Sequence, residues 1–141
     1  MSFEHDPASV PQARHVVRRV LDGVGLDEMA TAEIEIVVSE IVGNAIRHAR
    51  PLRDGAIHVQ CHVRVEAGVG AGTHVEIAVT DGGAPGRTVR QRTVDEGATG
   101  GRGLAIVDGL ADRWGVVENL DDLSRTVWAS FVEPPTRDRP L

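Results

Sequence analysis

The chain has 141 residues, enough for one domain with one core and too few for a second domain of ordinary size. Apolar residues make up 41% and charged residues 26%, the balance of a folded globular protein, and the net charge of −6 runs against the basic surface of nucleic-acid binders. All 15 basic residues are arginine, which excludes chemistry that needs a lysine, and the single cysteine, Cys61, excludes an internal disulfide and a cysteine-rich zinc site.

Met1 to His5 is polar and acidic with no apolar signal run, and no stretch nears the ~18 apolar residues of a membrane span. A cytoplasmic protein without membrane contact is the expectation. Phe3 marks a short edge strand. Ser9 or Pro11 opens a helix over Gln12 to Leu21, with Val16, Val17, Val20 and Leu21 at helical spacing. A second, longer helix runs from about Asp27 to Ala49, and Pro51 stops it. Ile57 to Val65 alternates apolar and polar residues, as does Val75 to Thr80, and the glycine-rich run between them predicts a hairpin. Asp81 to Arg102 is a long polar, glycine-rich segment. A helix over Gly103 to Ala111 follows, then strands at Trp114 to Glu118 and Arg125 to Val132. The domain is expected to cover residues 1–133, with a disordered proline-bearing tail over 134–141. Helices and strands segregate, which predicts an α+β two-layer sandwich: a mixed, mostly antiparallel sheet with helices on one face.

The long helix carries the most chemistry. With Ile34 at zero, Val37, Val38, Ile41, Ala45 and Ala49 fall within about 60° and form the buried face. Glu40, Asn44 and His48, four residues apart, form one row at the border of that face. A carboxylate can take a proton from a hydroxyl. An amide oxygen is a hard neutral ligand for Mg²⁺. An imidazole can donate to phosphate. The same row also suits a plain solvated helix edge. Asp81-Gly82-Gly83 follows a strand, where an aspartate can accept from an exocyclic amine or simply serve a turn. Gly100 to Leu104 opens a helix, and helix N-terminal amides bind anions where glycines let the backbone approach. No strand immediately precedes that cluster and no lysine follows it, so it is neither a Rossmann fingerprint nor a P-loop.

"SEIVGNAIRHA" resembles the N-box of the histidine-kinase-like ATPases, which share the Bergerat ATP-binding fold. "VTDGG" resembles their first glycine box and "GGRGLAIVDGLADRWGV" their second. "SRTVWASF" resembles their closing strand pair, and "DPASVPQARHVVRRVL" is similar to the short bacterial anti-sigma factor and serine-kinase branch. The likeness covers roughly Phe3 to Val132. It implies that Glu40 is the general base and that Asn44 binds Mg²⁺ at the phosphates, with His48 facing them. It implies that Asp81 holds the adenine amine while Gly83 lets the base approach. Gly101 and Gly103 would line the phosphates in a turn shared with Arg102 and Leu104, and Thr126 would lie near the nucleotide. The segment up to Arg102 would be the ATP lid, where Arg87, Arg90 and Arg92 read as solvated charge. Two positions depart from the family pattern: Pro85 replaces the second glycine of the first box, and Arg125 replaces the glycine before the closing threonine.

The resemblance implies an ATP- and Mg²⁺-dependent anti-sigma factor that phosphorylates a serine or threonine of a small antagonist protein. Its partners would be that antagonist and a sigma factor, with a homodimer among the expected assemblies. The alternative is a catalytically inactive, nucleotide-dependent binding module of the same fold. A histidine-kinase fragment is disfavoured, because about 26 residues precede the N-box helix and one short helix uses them.

Overall fold

A computed structural model describes residues 1–68, 72–84 and 102–134. The elements are β1 (Ser2–Glu4), α1 (Ser9–Gly23), α2 (Glu28–His48), β2 (Ala56–Val65), β3 (Thr73–Asp81), α3 (Arg102–Leu110), β4 (Arg113–Glu118) and β5 (Arg125–Glu133). The predicted elements are all present, with bounds shifted by a few residues. The lid expectation, including Pro85, Arg87, Arg90, Arg92 and Gly101, lies outside the described residues, as does the tail from 135 onward.

α1 starts where the Asp6 carboxylate accepts from the Ala8 amide at 2.8 Å and Ser9 Oγ donates to the Glu4 carbonyl at 2.6 Å. α2 is capped by Asp27, whose side chain accepts from the Met29 and Ala30 amides. Such a cap is worth about 1 kcal/mol. Arg18 ties the two helices together by reaching Glu28 at 2.7 Å and Glu35 at 3.1 Å.

The sheet has the order β1-β2-β3-β5-β4. Among the described residues every neighbouring pair is antiparallel, so the mixed sheet expected from sequence is corrected to an antiparallel one. Strands that run in the same direction, such as β3 and β4, are each separated by an antiparallel neighbour, here β5. The sheet's inner residues, among them Ile57, Val59, Val75, Ile77, Val79, Val127, Ala129 and Phe131, are buried. They pack with Val17 and Leu21 of α1, Ile34, Val37, Val38 and Ile41 of α2, and Val107 of α3. Strand alternation then decides what stands at the sheet's end. Asp81 is on the same face as Val79 and Ile77, so it points into the helical layer.

Candidate functional site

Two groups of polar side chains approach the end of that layer. The first is the row on α2. Glu40 and Asn44 are half-buried and His48 is exposed. The amide oxygen Oδ1 of Asn44 accepts from Arg47 Nη2 at 3.3 Å.

The second group lies where β3 ends. Gly82 donates its amide to the Arg50 carbonyl at 2.7 Å, and Arg50 donates back to the Gly83 carbonyl at 2.9 Å. This reciprocal pair fastens the chain leaving α2 to the chain leaving β3, so the last turn of α2, with His48, and Asp81 share one end of the molecule. It also explains the glycines. A Cβ on Gly82 would collide with the Pro51 carbonyl oxygen. Gly83 has φ +83, and a Cβ there would meet the Leu123 carbonyl oxygen at 2.5 Å. The close partner of Gly83 in the structure is therefore the β4–β5 turn.

Asp81 is 1% exposed, and both its oxygens are engaged. Oδ1 accepts from the Gly83 amide at 2.8 Å. Oδ2 accepts from Arg125 Nη2 at 3.2 Å. Burial pushes the carboxyl above its ordinary range, and the Arg125 guanidinium, the Gly83 amide and the charge of His5 work against that rise. His5 is itself held at the end of α2, where Nε2 donates to the carbonyls of Ala45 at 3.1 Å and Ala49 at 2.9 Å.

Register decides which residue faces Asp81. In the β3–β5 ladder Asp81 stands opposite Arg125, and Thr80 stands opposite Thr126. Thr126 Oγ1 lies 2.7 Å from Thr80 Oγ1, so alternation puts it on the other face of the sheet. The structure thus does not bring Thr126 to Asp81; the neighbour is Arg125. Leu104, in the first turn of α3, is half-buried and packs on the core. Arg102 and Gly103 belong to the same helical turn, but their side-chain surroundings lie outside the described residues, as does Gly101.

Sequence reasoning marked Arg125 only as a departure from a pattern and passed over His5 altogether. The cross-strand register carried the signal for Arg125. Nothing local marks His5, because its partners lie 40 and 44 residues away.

Among the described residues no group of three or more His, Cys, Asp or Glu side chains could hold a metal. A magnesium ion here would rest on a neutral amide oxygen and on oxygens the nucleotide brings, a donor set that suits this hard cation. Asn44 fits that part, since its only described tie is the 3.3 Å contact from Arg47. No helix among the described residues is long and apolar enough to cross a membrane.

The sequence profile of the histidine kinase-like ATPase domain matches residues 3–131. No curated protein sequence gives a significant match. Among solved structures, the RsbU and RsbW domains of Rv1364c from Mycobacterium tuberculosis superpose with a TM-score of 0.67 at 21% identity. That match covers 99% of this chain and 34% of the other, so the chain spans about a third of its structural neighbour. At this identity the likeness is one of fold.

Proposed function

The chain belongs to the histidine kinase-like ATPase domain family, and from that premise we propose that it is an ATP-binding regulator, an anti-sigma factor with serine/threonine protein kinase activity toward an antagonist protein. The observation that supports this reading is that the chain leaving α2 is fastened to the chain leaving β3, two elements that carry different kinds of group. One is a buried carboxylate at the end of β3, suited to a base amine. The other is a row of carboxylate, amide and imidazole on α2, suited to a phosphate chain and its cation. The Arg50–Gly82–Gly83 clamp holds the two ends together.

In this reading Asp81 accepts from the adenine amine. Asn44 holds magnesium and His48 faces the phosphates, with Gly101, Arg102, Gly103 and Leu104 forming the turn beside them. Bound magnesium would supply charge neutralisation at the phosphates. Glu40 sits one helical turn before Asn44 and takes the proton of the attacking serine hydroxyl. The sigma factor and the antagonist bind as protein partners, a homodimer is one of the assemblies this reading allows, and the cytoplasm is the expected compartment.

The test is a thermal melt with and without Mg-ATP, followed by incubation with candidate antagonists and intact-mass measurement. A ligand that binds only the native state at a hundred times its Kd stabilises by about 2.7 kcal/mol. A melt unmoved by saturating Mg-ATP removes the nucleotide site. Stabilisation without a mass increase on any cognate antagonist leaves the binding module. That second reading draws on a specific observation: Asn44 Oδ1 accepts from Arg47 and Asp81 Oδ2 accepts from Arg125, so an arginine stands at each of the two side chains.

A further inference from the structure

Asp81 is not a bare carboxylate. Its Oδ2 is paired with a guanidinium on the directly opposed residue of the next strand, and the pair is sealed, with Asp81 1% and the Arg125 side chain 15% exposed. Gly83, Ser124 and Arg125 line a cavity of about 50 Å³, and Ser124 also lines a neighbouring one of about 670 Å³. Arg125 is also incompletely satisfied. It makes one contact to the carboxylate instead of a two-pronged fork, and its buried Nε has no partner. The Gly83 amide, by contrast, is fixed by the backbone at 2.8 Å. When a ligand enters, Arg125 is the partner able to reorient.

A lone carboxylate reads only donors. It takes the amine of a 6-aminopurine or the ring N–H of a 6-oxopurine, but offers no donor to the 6-oxopurine carbonyl and repels it. A carboxylate beside a guanidinium presents an acceptor and several donors together. A 6-aminopurine can give its amine to Asp81 and accept at its ring nitrogen from Arg125. A 6-oxopurine can give its ring N–H to Asp81 and accept at its carbonyl from Arg125. We propose that Arg125 is a specificity-determining residue: by pairing with Asp81 it opens the base site to 6-oxopurine nucleotides as well as 6-aminopurine nucleotides. This rests on Asp81 being the base-reading group of the proposed nucleotide site.

The test is calorimetric titration of the full chain with Mg-ATP and with Mg-GTP. The wild type should bind the two within about tenfold of each other. A site built on hydrogen bonds to an N–H donor alone rejects the wrong analogue by several orders of magnitude. Arg125→Thr should gain affinity for ATP and lose it for GTP, so that the ratio widens by about tenfold or more, the value of one hydrogen bond to a charged group. Arg125→Lys, which keeps a charged donor, should stay near the wild-type ratio and serves if the threonine variant does not fold. A wild type that prefers ATP over GTP by more than about a hundredfold overturns the proposal while leaving the nucleotide site intact. So does a ratio unchanged by Arg125→Thr in a folded variant. Failure of the wild type and both variants to bind either nucleotide overturns the proposal together with the nucleotide-site reading.

Discussion

Asn44 and His48 stand on α2 half-buried and exposed, and the one described tie on Asn44 is a single long hydrogen bond from its helical neighbour Arg47. Asp81, at the end of β3, is 1% exposed and has both oxygens filled. The first region is arranged by one helix, with residues four apart in a row that water reaches. The second is arranged by three separate segments: the end of α2, the β4–β5 turn and β5. Polar groups in an open row can change partners at little cost, since each exchange is made against water. A buried carboxylate changes partners only when a new donor replaces the one it loses, because an unreplaced loss leaves a desolvated charge. In the proposed reading the open row is the place for steps that must recur, such as moving a proton or holding a phosphate. The sealed end is the place for a fixed choice.

If the open row performs the chemistry, its largest effect should be kinetic. Glu40→Gln keeps size and polarity and removes the base. Transfer to the antagonist serine should fall about 10²–10⁴-fold, while Mg-ATP affinity changes little, as read by initial rates beside calorimetry. Equal rates in the two proteins would strip Glu40 of its role. Loss of ATP binding with the rate would make Glu40 a structural residue of α2.

The sealed end should respond first in stability. Gly83→Ala places a Cβ 2.5 Å from the Leu123 carbonyl at φ +83, and the strain and the clash together should cost about 2–4 kcal/mol. Urea denaturation measures this. A cost below about 1 kcal/mol would mean that the β4–β5 turn yields easily and that the end of β3 is less fixed than its contacts indicate.

This asymmetry also explains what could be read from sequence. The fold was legible because its signals are local: the period of Ile34, Val37, Val38 and Ile41, the alternation of β2 and β3, and the helix stop at Pro51. The helix row was legible for the same reason. At the end of β3 Asp81 and Gly83 were legible but the partner of Asp81 was not, since it depends on which strand residue faces which. Thr126 matched a pattern by letter, yet the ladder turns it to the other face and sets Arg125 against Asp81. Gly83 reads as room for a base, whereas its backbone angle and the Leu123 carbonyl already require glycine.

A milder test separates Thr126 from Arg125. Thr126→Val keeps the branched shape and removes the hydroxyl paired with Thr80. The expected cost is about 1 kcal/mol of stability with one hydroxyl left unpaired, and nucleotide affinity should stay within about twofold, because the hydroxyl is on the outer face. A large loss of ATP affinity in a folded Thr126→Val protein would return Thr126 to the nucleotide site.

The smallest expected effect concerns protons, and it decides whether burial or Arg125 dominates at Asp81. The carboxyl's ordinary value is 3.8, and in the folded chain it is raised, chiefly because burial disfavours the charged form. Between the ordinary value and the raised one, the native state holds more protons on Asp81 than the unfolded chain does. Lowering the pH through that window therefore favours the native state, and raising the pH above the folded value removes the benefit. Asp81→Asn lacks the titration and should lack this contribution. Melting temperatures of the two proteins compared from neutral pH down toward pH 4 should shift in favour of the wild type, by about 1–3 °C. The opposite drift, with the wild type losing ground as pH falls, would mean that the Arg125 guanidinium outweighs burial and holds Asp81 below its ordinary value. In that case the pair at the sheet's end is a firm ion pair, and a base amine would have to compete with a fully charged partner.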